Sequence, residues 1–413
     1  MALPAVLRST SRDVVRPART LWLLSAAHAV NHAHAALLPL VYLVVIEEFG
    51  VGVGAIAFLA AAANFLSGTV QLSYGVVTRY VPRRLTLALG GVVMGCGMAA
   101  QALASGFATF AVANVVSRIG GSPQHPVGNA LLAEQFPARR GLAISAHVAG
   151  GNLGTVAVPL VGAWLIGGVG WRWTVLLFGL PPVFIALAIL ALVRETGADR
   201  AAAWARGGVR DAFGSIFRDR DLRWLYLSSV LGGGGRGLGV VNVFVPLYLA
   251  RVVGLDTGTV GLMYTVLLLG SVPGPLVAGW LSDRFGRKPL IVAVYLGGAV
   301  AFGVFVLAGS NLAGLWAGIV LLGAFNFAES PQLQALLADI AVPAVRDVSH
   351  ATYFTLAFGV GSLWTAIYGA LTDAAGEAAG LPLVFWLMAA AYLAAAAAIL
   401  PVLATRRVEE GGR

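Results

Sequence analysis

The chain has 413 residues, 59% hydrophobic and 11% charged, with a net charge of +9. Soluble domains carry about a quarter charged residues, so this chain cannot cover a water-facing surface, and the bilayer is its expected solvent. The positive balance does not point to nucleic acid, because the basic residues lie in short loops between apolar runs and not on one folded face.

The first apolar run follows Arg8, Arg12, Arg16 and Arg19. At about 25 residues it is too long for a signal-peptide core, and no small-residue cleavage pattern follows it, so it reads as a first span. A span needs about 20 mostly apolar residues. Twelve segments meet that requirement: 21–46, 52–78, 85–104, 107–135, 141–167, 172–193, 223–250, 257–281, 289–309, 312–339, 348–372 and 382–404. The single cysteine, Cys96, lies in the third, so there is no disulfide framework.

Composition shifts most over 194–222, a polar stretch dense in Arg and Asp that divides the spans six and six. Phe213, Ile216 and Phe217 within it suggest a short amphipathic helix on the membrane surface. The predicted organisation is a six-helix bundle over 1–193, a cytoplasmic linker over 194–222 and a second six-helix bundle over 223–413. Of the 27 Lys and Arg, Arg118 and Arg236 fall inside spans, and Arg172 and Arg251 fall on one side. The remaining 23 share the side of both termini and the linker. The positive-inside rule makes that side the cytoplasm.

The halves repeat. Ser122-Pro123-Gln124 and Ser330-Pro331-Gln332 are 208 residues apart, and Ala130-Leu131-Leu132-Ala133-Glu134 and Ala335-Leu336-Leu337-Ala338-Asp339 are 205 apart. Spans 4 and 10 are therefore equivalent. A parallel repeat of six spans marks a two-bundle transporter with its site at the repeat interface near mid-membrane. A second repeat lies in the loops. Gly279-Trp280-Leu281-Ser282-Asp283-Arg284-Phe285-Gly286-Arg287-Lys288 joins spans 8 and 9, and Gly75-Val76-Val77-Thr78-Arg79-Tyr80-Val81-Pro82-Arg83-Arg84 joins spans 2 and 3.

With these residues in place the chain resembles a transporter of the major facilitator superfamily over essentially its whole length. Ser145 to Gly154, with His125-Pro126 and Arg140-Gly141-Leu142-Ala143, resembles the fosmidomycin-resistance type branch, which is similar to proton-driven exporters of small anionic drugs. Gly150, Gly151, Gly154, Pro159 and Gly162 loosely resemble the glycine/proline motif of drug antiporters. The resemblance implies an all-α membrane protein of twelve transmembrane helices in two pseudo-symmetric six-helix bundles, with spans 1, 4, 7 and 10 lining a central cavity.

It also implies a cytoplasmic gate. Asp283, beside Arg284 and Arg287, is placed to latch onto the start of span 5 next to Arg139 and Arg140, because a helix N-terminus and nearby arginines favour a carboxylate. In the first copy Arg79 stands where the acid is expected. Symmetry sends it to the start of span 11, where Asp347 offers the same pair with its charges exchanged.

Charges at bilayer depth are costly and mark function by default. Three stand inside spans: Arg118 in span 4, Arg236 in span 7 and Glu329 in span 10. On span 1, His28, Asn31 and His32 share one helical face. Arg118, Ser122 and His125 do the same on span 4, where Pro123 and Pro126 interrupt the helix and free backbone groups. Arg236 sits in Leu-Gly-Gly-Gly-Gly-Arg-Gly-Leu-Gly (231–239), which reads as a bending point beside a charge. The expected substrate contacts are Arg118 and Arg236, forking around an anion, with Asn31, His32, Gln124, His125, Asn242 and Asn326. Glu329 and His32 are the candidates for carrying the coupling proton, since histidine titrates near neutrality. The alternative is that one arginine pairs permanently with Glu329.

His28 and His32 at i, i+4 also fit two metal ligands on one helix. No cysteine or carboxylate lies near them in sequence and arginines are close, so no metal is expected. No Gly-Lys-Ser/Thr loop for ATP is present, so neither an enzyme nor a nucleotide-driven pump is expected, and no cofactor. The reading is a monomeric secondary transporter in the plasma membrane, with both termini cytoplasmic. It moves a small organic solute, expected to be anionic, by proton-coupled alternating access. The alternatives are a multidrug exporter of neutral or cationic compounds, and a protein that kept the fold as a sensor.

Overall fold

The computed structural model describes residues 15–136, 140–156, 158–195, 214, 216–341 and 346–403, and among these there is no strand. In the first half the helices are α1 (Pro17–Phe49), α2 (Val53–Tyr80), α3 (Arg83–Ala102), α4 (Phe107–Gly121), α5 (Pro126–Gln135), α6 (Arg140–Val156) and α7 (Val158–Leu192). The second half holds α8 (Arg220–Gly232), α9 (Asn242–Arg251), α10 (Thr257–Leu269), α11 (Pro273–Phe285), α12 (Arg287–Leu307), α13 (Leu312–Phe325), α14 (Glu329–Ile340), α15 (Arg346–Phe354), α16 (Leu363–Ala375) and α17 (Glu377–Ile399).

Ten helices among the described residues are long and apolar enough to cross a membrane. One of the ten runs from Ala146 to Leu192, 47 residues, too long for a single crossing. It breaks at Gly170, whose φ of +83° and ψ of 161° only glycine adopts readily. The predicted span 4, which carries Asn114, Arg118, Gln124 and His125, is not among the ten, and a 3-10 turn at Ser122–Gln124 divides it into α4 and α5. The twelve-span reading takes the first as two crossings and counts the second as one.

Large apolar side chains face outward on many helices. Trp22, Phe58, Leu103, Trp164, Leu276 and Leu307 are each more than 60% exposed. Water would penalise such a surface and lipid does not. Polar groups such as Ser228, Asn326 and Arg236 are turned inward and find partners there, as intramembrane packing favours.

Three helix starts in the second half carry side-chain caps. Asp219 accepts from Asp221 N and Leu222 N, Asp256 from Gly258 N and Thr259 N, and Asn311 from Gly314 N. The turn after α11 ends at Gly286 with φ +95°, so the glycine of the second loop motif is required by backbone geometry.

A base near the end of each loop motif pairs within its own half. Arg83 meets Glu134 at 2.5 Å, and Arg287 meets Asp339 at 3.3 Å while donating to Ser282. The acids are the repeat-related Glu134 and Asp339, so both copies tie a loop to the end of span 4 or span 10. Arg284 is exposed, its guanidinium within 6 Å of the Trp280 and Phe285 rings. The predicted latches cannot be placed: Arg139 and the side chains of Arg79, Arg140, Asp283 and Asp347 lie outside the described residues. Most of the linker, 196–213, does as well.

The halves meet on the side opposite the basic loops. Arg251 at the end of α9 reaches Glu47 of α1 at 3.1 Å and grips Glu377 of α17 with two bonds of 2.9 and 3.2 Å. Asp373 of α16 accepts from Gly54 N at 2.9 Å, a carboxylate set on the N-terminus of α2. Ser362 donates to the Ala61 carbonyl, and Asn152 approaches the Ser271 carbonyl at 3.5 Å. These contacts between the halves lie between this far side and mid-depth.

Asp373→Ala is expected to loosen this closure. Losing a carboxylate cap costs about 0.5–2 kcal/mol, which is roughly a 2- to 30-fold gain in the far-side-open population. A membrane-impermeant maleimide applied from the far side to Ala60→Cys in a Cys96→Ala background should react faster by that factor. An unchanged rate would show that the Asp373 contact does not hold the closure.

Candidate functional site

A cavity of about 260 Å³ lies between the halves at mid-depth. Its walls are α1, α2, the broken span 4, the broken segment between α8 and α9, and the irregular stretch between α15 and α16, with Thr155 from α6. Each break has a sequence cause. Pro123 and Pro126 end α4 and restart the helix as α5, which turns His125 into the cavity. Four consecutive glycines end α8, and Arg236 follows in an extended conformation, φ −65° and ψ 134°. Asn326 staples that break: its amide donates to the Gly235 carbonyl at 2.9 Å, and its own carbonyl accepts from Gly237 N at 2.9 Å.

Six of the eight expected substrate contacts line the cavity: Asn31, His32, Arg118, His125, Arg236 and Asn242. Asn326 and Gln124 do not. Asn326 is fully buried in the staple just described, and Gln124 is buried behind the wall with its Oε1 unpartnered. Asn31 donates to the Gly121 carbonyl at 2.6 Å.

The two arginines differ. Arg236 is 4% exposed and bonds in several directions: to Glu329, to the Ala357 carbonyl, and to the Ser229 carbonyl and hydroxyl at 2.9 and 3.3 Å. Its guanidinium also faces the Phe358 ring at 5.0 Å. Arg118 donates to Asn64 Oδ1 at 2.5 Å, and among the described residues no carboxylate pairs with it. Among the described residues no acidic side chain lines the cavity.

Glu329 is fully buried behind Arg236 and also accepts from the Tyr295 hydroxyl at 3.3 Å. It does not line the cavity, and neither does any other residue of span 10. The lining therefore departs from the expected set of spans 1, 4, 7 and 10. The breaks in spans 7 and 10 bring Arg236 over Glu329, and spans 2 and 11 occupy the wall in front of it.

Span 2 supplies Asn64, Ser67 and Gln71, which sequence reading passed over. They stand at i, i+3 and i+7, one face of an otherwise apolar helix, and that pattern was the available signal. Ser67 donates to the Arg118 carbonyl at 3.2 Å, so this face also holds the helix that presents the arginine. Phe354, Phe358 and Thr365 from span 11 carried no such signal. His34, also on α1, points away from the cavity to Ser117.

The family model described as Major Facilitator Superfamily matches residues 23–238 and 235–413. The chain is 24% identical to the uncharacterized MFS-type transporter YfnC of Bacillus subtilis over 399 residues, 91% of this chain and 92% of that one. It is 24% identical to the fosmidomycin resistance protein of Escherichia coli over 377 residues, 85% of each. In fold it is similar to a bacterial homolog of the human lysosomal transporter Spinster, crystallised in an inward-facing, unoccupied conformation. The TM-score is 0.78 at 16% identity, over 96% of this chain and 98% of that one.

Proposed function

The chain belongs to the major facilitator superfamily and is a membrane transporter, not an enzyme, and from that premise we propose that it carries a small organic anion across the plasma membrane in a cycle coupled to protons. The observation that carries the reading is Arg118, a guanidinium on the cavity wall with no carboxylate partner among the described residues. An arginine fork binds carboxylate or phosphate in two parallel bonds and stays charged through a transport cycle. Asn64 orients it, and Asn31 and Asn242 offer amides to the remainder of the solute.

The proton is assigned to the Arg236–Glu329 pair. When Glu329 is ionised it holds Arg236 against the wall. When Glu329 takes a proton the attraction is lost and the guanidinium is released toward the cavity, where an anion can replace the carboxylate. His32 is the second candidate, since it lines the cavity and its Nδ1 lies 3.2 Å from Thr155 Oγ1. The basic side of the molecule is assigned to the cytoplasm, and the protein works as a monomer of two six-helix bundles joined by the 194–222 linker. A cavity with no acidic side chain among the described residues disfavours the reading as an exporter of cationic drugs.

The test is reconstitution into sealed vesicles with an imposed pH difference and a panel of labelled carboxylates, phosphates and phosphonates. The expected result is accumulation of at least one anion that collapses when a protonophore is added. Movement of hydrophobic cations alone would overturn the anion reading, and accumulation indifferent to the protonophore would overturn the proton reading.

A further inference from the structure

Three imidazoles from two separate spans converge beside the cavity. His28 and His32 come from α1 and His125 from the break in span 4, and one ring nitrogen of each lies within 4.8 Å of the others. Ring centroids are 4.4 Å apart for His28 and His32, and 4.6 Å for His28 and His125. A fourth ring, His147 of α6, stacks on His28 at 4.3 Å.

The hydrogen bonds around these rings decide which nitrogen each can offer. His28 Nδ1 lies 3.0 Å from the His147 main-chain carbonyl. A carbonyl only accepts, so Nδ1 carries the proton and Nε2 presents a lone pair. That Nε2 is buried and has no hydrogen-bond partner, on a residue that is 0% exposed. A buried acceptor left unpaired is costly and calls for an explanation. His32 Nδ1 is likewise engaged, by Thr155 Oγ1 at 3.2 Å, which leaves Nε2 as its free nitrogen. Imidazoles that ligate metals are held in this way, with the second ring nitrogen bonded to a protein oxygen that sets tautomer and orientation.

We propose that His28, His32 and His125 form a binding site for a divalent cation of the zinc class, with a fourth coordination position open to the cavity. Three imidazoles and one open position are the donor set of an accessible zinc site. His32 and His125 line the cavity, so the open position faces the solute. Two nitrogens on one tetrahedral zinc ion stand about 3.3 Å apart, so ring rotations that bring the nitrogens together by up to about 1.5 Å close the set. The neighbouring Arg118 guanidinium selects the ion. It repels loosely held hard cations such as magnesium and calcium, and leaves those whose bond to imidazole nitrogen is strong. Because the ligands come from spans 1 and 4, a bound ion ties α1 to the start of α5. Only the His28–His32 pair was legible along the chain. The third ligand arrives from a span about 90 residues away, which is why no metal was expected from the sequence.

The test uses the full chain in detergent, freed of any affinity tag and treated with a chelator that is then removed. Zinc chloride is titrated in by calorimetry, and cobalt(II) absorption reports the ligand field. The expected result is one zinc ion per chain, a tetrahedral cobalt spectrum, and a loss of affinity of about tenfold or more in His32→Ala and in His125→Ala. His350→Ala, in the other half, should bind as the wild type does. A wild-type protein that takes up no zinc overturns the site, as does uptake that survives both cavity-facing substitutions. A six-coordinate cobalt spectrum overturns the three-imidazole set. Because the cobalt signal comes from the wild-type chain, a variant that fails to fold does not remove the test. None of these outcomes depends on transport, so the site stands or falls separately from the anion reading.

Discussion

Replacing Arg236 by methionine is expected to cost about 3–5 kcal/mol of stability, because it strands the Glu329 carboxylate in a site with no other cation. Glu329 is fully buried and its remaining side-chain partner is the Tyr295 hydroxyl, which cannot compensate a full charge. Glu329→Leu with Arg236 intact strands the guanidinium and should do similar damage. The double variant Arg236→Met, Glu329→Leu removes both charges and should recover most of what either single change loses, since a buried pair and an apolar pair of similar volume are often close in free energy. Thermal inactivation of the three variants, with the protein held in one detergent, measures this. A double variant as fragile as the singles would show that the four remaining contacts of Arg236, not its charge partner, hold the break between α8 and α9. If the pair also carries the proton, the stable double variant should not accumulate solute. Stability and transport then separate in one protein.

The second large effect is expected at Arg118. Its described polar partner is neutral, so Arg118→Ala leaves no charge stranded and should fold. Binding is a different matter. A hydrogen bond to a charged group contributes about 1.5–3 kcal/mol, so affinity for a transported anion should fall by roughly 10- to 100-fold. Arg118→Lys keeps the charge but loses the fork, and should recover only part of that loss. The readout is the shift in thermal stability produced by anions from the transport panel, since a ligand bound to the folded protein raises its apparent stability by mass action. An anion that stabilises Arg118→Ala as strongly as the wild type would remove Arg118 from the site and leave Arg236 as its one assigned cationic contact.

The contrast between the two arginines was not available from the chain. Both lie inside apolar spans next to helix-breaking residues, and each is as costly as the other by burial alone. The carboxylate of Glu329 stands 93 residues from Arg236 and 211 from Arg118, and nothing in those separations says which it meets. The break at Gly233–Gly235 and the Asn326 staple decide it, by carrying Arg236 over the start of α14. The closure on the far side was hidden for a related reason. Arg172 and Arg251 were visible as the two cations on that face. That Arg172 stays within its half, on Glu48, while Arg251 crosses to Glu47 follows from which helix ends are neighbours.

What the sequence determined by itself is what depends on local composition and repetition. The bilayer as solvent follows from too few charges to cover a surface. The helical class follows from apolar runs of about 20 residues, a length that suits a spanning helix and not a barrel strand, and the breaks in spans 4 and 7 follow from proline and from consecutive glycines. The family follows from the loop motifs, confirmed along residues 23–238 and 235–413. Tertiary structure alone decided which polar groups share a space. It placed Asn64, Ser67 and Gln71 of span 2 on the cavity wall and moved Glu329 behind it. It turned Asn326 into a structural bond and brought His125 to His28 and His32. Helix packing sets these neighbours through the rotation of each helix about its own axis. An apolar span hides that rotation, because lipid-facing and core-facing residues are drawn from the same hydrophobic set.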